Sequence, residues 1–149
     1  WPWGRGTITM PPREETLFIA QHGYLPAAPL REILCYPRSP QKFKEQDFLD
    51  AMEQCGLSHI IPRMDDNIRW DKKFDSDEQA CVRVANALLL KPRWLFIDDL
   101  LEGLEKETVD TLTSVLAGMT ESAIIYIGRS ESILQVLSPR VLHLDLIKA

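Results

Sequence analysis

LLLKPRWLFIDD, residues 88–99, is the stretch on which the fold turns. An apolar run from Trp94 to Ile97 closes on two adjacent carboxylates, Asp98 and Asp99, and is entered through Lys91 and Pro92. A continuous apolar run bounded by polar residues suits a strand buried on both faces, as in a parallel sheet. Pro92 prevents the preceding helix from continuing into it. In an open α/β sheet, ligands gather at the carboxyl ends of strands, so acids placed there can reach a bound metal and its phosphates. The alternative is that an aspartate pair after a strand merely opens a loop.

On both sides of this stretch, strand and helix patterns alternate. A short strand is expected near Thr7 to Met10, and a buried one over LFIA, Leu17 to Ala20. Prolines at 26, 29, 37 and 40 leave room only for a short helix near Leu30 to Leu34. Asp47 is expected to cap a helix carrying Phe48, Leu49, Met52 and Cys55, with Gly56 at its C-terminal cap. The charged segment from Arg63 to Phe74 reads as an exposed loop bearing Trp70, and Ser76 with Gln79 as a capping box opening a helix to about Leu90. Beyond Asp99 come a helix with Val109, Leu112 and Leu116 on one face, the strand AIIYI (Ala123 to Ile127), a short helix with Ile133, Leu134 and Leu137, and the strand RVLHLD (Arg140 to Asp145). The alternation predicts an α/β fold: a mostly parallel sheet covered by helices.

The totals bound the function. A chain of 149 residues, 45% hydrophobic, fits one domain around one core. Its formal charge of -5 and its scattered acids provide no basic stripe, which argues against a nucleic-acid partner. Cys35, Cys55 and Cys81 lie in apolar patterns without C-x-x-C spacing, as suits a reducing compartment. No apolar run approaches the roughly 20 residues that cross a bilayer, and no secretory signal pattern opens the sequence. His22, His59 and His143 are isolated from one another and from cysteine at ligand spacing, which argues against a histidine metal site.

Taken together, these landmarks resemble the ABC ATPase core, the ATP-binding domain of ABC transporters. A signature helix, a K/R-P linker, a Walker B strand ending at Asp98 and a D-loop follow one another in that family's order. LFIAQHGYLPAAPLREILCYP is similar to the Q-loop strand and its following turn, with Gln21 at the glutamine. That wording, with WPWG before it and a tryptophan before the signature, looks most like the bacterial branch related to peroxisomal fatty-acyl transporters. The resemblance implies a partial P-loop NTPase fold, with an α-helical subdomain over about 22–92 and a sheet core over 1–21 and 93–149. It also implies magnesium and ATP as cofactors in the intact domain, a transmembrane domain and a second ATP-binding domain (a homodimer) as partners, and a place at the cytoplasmic face of the bacterial inner membrane.

On the same footing, Asp98 would hold magnesium through water together with Gln21, Asp99 would orient the attacking water, Gln21 would sense the γ-phosphate, and Arg129 would replace the switch histidine. Trp70 would either stack on adenine or pack on its own helix. Several positions depart from the family pattern. The Walker A loop, G-x-x-x-x-G-K-[ST], is missing, so the chain is expected to begin just past the helix that loop opens. Without the strand and helix of that loop, apolar sheet surface should be exposed and the chain should tend to self-associate. At the signature, where the resemblance implies that a serine and a helix N-terminus bind the γ-phosphate of ATP held by the opposite subunit, L-S-x-G-E/Q-Q is replaced by Phe74 and the candidate ATP-binding residues Asp75, Ser76, Asp77, Glu78 and Gln79. Carboxylates at 75 and 77 suit the helix macrodipole but repel phosphate.

Asp99 takes the place of the catalytic glutamate. It is roughly 1.5 Å shorter, and a misplacement of about 1 Å can cost around a hundredfold in rate. Arg129 has no acceptor nitrogen and cannot act as a neutral imidazole does. Glu102, Gly103, Leu104 and Glu105 replace the usual S-A-L-D of the D-loop. Two readings follow: an ABC ATPase fragment whose isolated chain turns over little or no ATP, or a degenerate domain retained as a structural or regulatory subunit.

Overall fold

A computed structural model describes residues 6, 7, 9–21 and 23–141 of the chain. Three parallel strands, β1 (Thr16–Ala20), β2 (Trp94–Asp98) and β3 (Ala123–Ile127), pair in that order, so β2 lies between the other two. Register runs straight across the sheet: Phe18 pairs with Phe96 and Phe96 with Ile125, while Ala20, Asp98 and Ile127 align at the carboxyl ends. The helices are α1 (Leu30–Cys35), α2 (Glu45–Gln54), α3 (Ser76–Leu90), α4 (Lys106–Gly118) and α5 (Glu131–Leu137). Short turns of 3-10 helix fill the intervals, among them Ser58–Arg63 and Trp70–Lys72.

Side chains alternate across a strand, and here the two faces differ. Ile19, Leu95 and Ile97 sit in the same core as Leu112 and Leu116 of α4 and Ile133 of α5. The opposite face carries Phe18, Ile125 and Ile127, which are 60%, 39% and 53% exposed. Among the described residues nothing covers it. Helix α3 joins the two parts of the molecule, packing against α1 and α2 on one side and α4 on the other. Its buried residues, including Val82, Val84, Ala85 and Ala87, surround most of its circumference, as an interior helix requires. Arg83 on α3 is also buried; it donates to the Gly23 carbonyl and lies near the Gln79 amide oxygen, and burial holds its pKa below the ordinary arginine value.

Several local expectations change. Helix α2 starts at Glu45 with Lys44 at the cap, and Asp47 reaches back from the third helical position to the Lys44 N–H at 2.8 Å. The cap of α3 is Asp75, one residue before Ser76: its carboxylate accepts the Glu78 N–H at 2.8 Å, and Glu78 returns to the Asp75 N–H at 3.2 Å. That reciprocal pair satisfies two of the four free N–H groups at the helix start. Gly56, at φ +78, ends α2 in the left-handed region that glycine adopts without a Cβ clash. Thr7, Thr9 and Met10 form no strand; two prolines follow, and Met10 is exposed. The strand expected over Arg140–Asp145 falls largely outside the described residues, and Arg140 and Val141 belong to no strand. WPWG, His22 and His143 also lie outside them.

The largest correction concerns Arg63 to Phe74, expected to be an exposed loop. Met64, Trp70 and Phe74 are all buried, and Trp70 is only 1% exposed. The Trp70 indole stacks on Phe74 with ring centroids 4.9 Å apart, while the Arg63 guanidinium lies 5.9 Å from its centroid. Trp70 is therefore a core side chain, not an exposed aromatic presented to a base. Charged neighbours concealed this, because three large apolar residues without helical or strand period are enough to fold an irregular segment inward.

Burial of the thiols and exposure of one sheet face each have a measurable consequence. Desolvation, with a smaller contribution from Cys81, pushes the Cys55 thiol from an ordinary 9.0 to about 12; desolvation and the charges of Asp77, Asp75 and Glu78 push Cys81 to about 11. The unfolded chain releases these protons from about pH 9, so stability is unaffected below that value and falls as the pH rises towards 12. Urea midpoints at pH 8 and 10.5 should differ, and the Cys55→Ala, Cys81→Ala double variant should narrow the difference. The uncovered sheet face should drive self-association. Light scattering over a concentration series should show apparent mass rising, and a Phe18→Ser, Ile127→Ser variant should suppress the rise.

Candidate functional site

The carboxyl ends of the three strands bring together residues far apart in sequence. The Gln21 backbone N–H donates to the Asp98 carbonyl at 3.0 Å, and the Asp99 N–H donates to the Ile127 carbonyl at 2.8 Å. The ladder thus extends past the strands, placing Gln21, the aspartate pair and the Gly128–Arg129 turn side by side. Asp98 is half-buried at the end of β2, whereas Asp99 and Arg129 are exposed. Asp99 adopts φ +49, a left-handed conformation uncommon outside glycine, asparagine and aspartate. Such a turn directs the chain sharply out of the sheet, and the Glu102 N–H closes it on the Asp99 carbonyl at 3.1 Å.

Glu102 joins the three loops. Its carbonyl accepts the Gln21 side-chain amide at 3.0 Å, and its carboxylate accepts the Arg129 backbone N–H at 2.7 Å. Sequence reading marked Glu102 only as a departure from a pattern, because its partners come from loops beyond β1 and β3 that periodicity cannot bring together. Tyr126 was also missed. Its hydroxyl is buried without a hydrogen-bond partner, and burial, followed by the charges of Glu102 and Asp99, raises its pKa to about 12. It projects towards Gly128, where an added Cβ would stand 2.5 Å from the hydroxyl oxygen.

The residues at the start of α3 stand apart from this group. Asp75 and Glu78 are spent on capping, and Glu78 also meets His59 Nε2 at 3.0 Å. Ser76 is exposed, and the Gln79 amide donates to the Phe74 carbonyl at 3.2 Å. Asp77 accepts the Glu105 N–H at 3.0 Å, at the start of α4. Among the described residues, it alone of the α3 group bonds the segment that follows Glu102. A carboxylate at this second helix N-terminus is favourable to its macrodipole.

Among the described residues no cluster of three or more His, Cys, Asp or Glu side chains is arranged to hold a metal ion. Asp98 and Gln21 supply one carboxylate and one amide, and the Gln21 amide is engaged by Glu102. The Arg129 and Glu105 N–H groups are likewise taken by Glu102 and Asp77. A Gly128→Ala substitution should crowd Tyr126 and cost about 1–3 kcal/mol, read as a lowered urea midpoint; Tyr126→Phe alone should be neutral or slightly stabilising, since it removes an unpaired buried hydroxyl.

No family model matches the chain. The inner membrane ABC transporter ATP-binding protein YddA of Escherichia coli is 27% identical over 128 residues, 85% of this chain and 22% of that protein. ABC transporter D family member 2 of Dictyostelium discoideum is 25% identical over 107 residues, 66% of this chain and 14% of that protein. The chain thus spans about a fifth or less of the relatives it matches. A bacterial Atm1-family ABC exporter, solved with ATP bound, superposes with a TM-score of 0.67 at 18% identity, covering 82% of this chain and 22% of the exporter chain. In sequence the chain is a relative of ABC transporter ATP-binding proteins, and its α/β fold is one that an ABC exporter contains.

Proposed function

We propose that this chain is the C-terminal portion of an ABC transporter's ATP-binding domain, with ATP turnover lost or impaired in the isolated chain. The observation that carries the reading is the convergence of Gln21, Asp98, Asp99 and Arg129 at the carboxyl ends of three parallel strands. Support also comes from relatives named as ABC transporter ATP-binding proteins. On this reading residues of about 22–92 form the helical subdomain, the Asp98 strand is Walker B, and the α3 start is a degenerate signature. In the complete domain Asp98 and Gln21 would serve magnesium, Asp99 the attacking water and Arg129 the switch position. A transmembrane domain and a second ATP-binding domain would complete the assembly at the cytoplasmic face of the inner membrane.

The acids at the α3 start favour a second reading. Asp75 and Asp77 bond N–H groups of their own chain, leaving negative charge where an ATP-binding signature presents a hydroxyl and a glycine. That arrangement suits a domain retained for docking or regulation.

Phosphate release by the purified chain with magnesium–ATP should stay at background; turnover that disappears in Asp98→Asn would overturn the inactivity. Calorimetric titration of the full-length form with a non-hydrolysable magnesium–ATP analogue separates the readings. Saturable binding weakened by Asp98→Asn supports the ATP-binding domain, and no binding favours the regulatory one.

A further inference from the structure

The loop after β2 does more than carry the aspartate pair. Glu102 is half-buried, its carbonyl accepts the Gln21 amide at 3.0 Å, and its carboxylate accepts the Arg129 N–H at 2.7 Å. The second bond is short and charge-assisted, a class roughly twice as strong as a neutral hydrogen bond. The backbone leading to its donor is anchored: the Asp99 N–H bonds the Ile127 carbonyl at 2.8 Å, and the Tyr126 ring lies against Gly128 where a Cβ would stand. One residue thus restrains the loops that follow β1 and β3 from the loop that follows β2.

We propose that Glu102 is a positioning residue acting as an internal counter-ligand. It holds the Gln21 amide and the Arg129 N–H in a closed arrangement that a phosphate-bearing ligand must open before either group can face it. The inference rests on the nucleotide reading above. The Glu102 carboxylate and phosphate oxygens are both anionic acceptors, so they compete for the Arg129 N–H, while the Gln21 amide is held by the Glu102 main-chain carbonyl, which no side-chain substitution removes. A ligand that binds only the opened arrangement has its apparent affinity lowered by the fraction that is open. Weakening the Glu102 contact enlarges that fraction.

Three substitutions separate the bond from the charge. Glu102→Ala removes both, Glu102→Gln keeps an acceptor oxygen of the same reach, and Glu102→Asp keeps the charge but falls short. Hydrogen exchange at the Arg129 amide, followed in the full chain, should accelerate about tenfold or more in the Ala and Asp variants and stay within about threefold in Gln. The Leu112 amide, inside α4, reports whether the fold is intact; where the Ala variant loses its protection, the Asp variant carries the test. Unchanged Arg129 exchange in a folded Ala or Asp variant overturns the proposal, whatever nucleotide does.

Affinity for the magnesium–ATP analogue should rise about tenfold in Ala and Asp and little in Gln. Equal gains in Ala and Gln with none in Asp would reduce Glu102 to simple repulsion and overturn the proposal. Accelerated exchange with no analogue binding in any variant would leave Glu102 as the restraint on the loops and overturn the nucleotide reading beneath it.

Discussion

Hydrogen bonding on both sides of β2 is the constraint from which the rest of the arrangement follows. A strand paired in parallel with two neighbours delivers its last residues between the loops that leave those neighbours, all pointing the same way. Asp98 and Asp99 therefore emerge between Gln21 and Arg129. The backbone bonds from Gln21 to Asp98 and from Asp99 to Ile127 continue the ladder into the loops, which makes the site's spacing a property of the sheet. The positive φ of Asp99 then turns the chain towards Glu102, so that one residue meets both flanking loops.

The acidic character of the site has a consistent physical logic. Asp75 caps α3, Asp77 bonds the N–H at the start of α4, and Glu102 bonds the N–H of Arg129. Each carboxylate meets a backbone donor that would otherwise be free. Helix starts and strand ends commonly offer such donors to phosphate, and here the chain fills them from within. The exchange stabilises the fold locally, since capping residues are each worth about 1 kcal/mol, while leaving fewer donors for an anionic ligand.

Packing is equally uneven. One face of the sheet shares a core with α4 and α5, whereas Phe18, Ile125 and Ile127 remain open on the other. Helix α3 is surrounded on nearly all sides because it joins α1 and α2 to α4. Helical packing around α3 and the single covered face of the sheet together account for the molecule's core.

The elements with strong local signals were legible in the residues themselves. The strands over 17–20, 94–98 and 123–127, the helix to Leu90 and the turn at Gly56 all follow from apolar runs, proline and glycine, which act over a few neighbouring positions, whereas the burial expected on both faces of the sheet is found on one. The grouping of Gln21, Asp98, Asp99 and Arg129 was legible only through motif order, a weaker guide than geometry. Tertiary structure decided the burial of Trp70, the shift of the α3 cap from Ser76 to Asp75, and the role of Glu102. In each case the deciding contact is a packing choice or a hydrogen bond to a partner that only the folded backbone brings near. Local sequence sets which segments pair and coil, but the partner of a loop carboxylate is chosen by how the sheet ends are brought together.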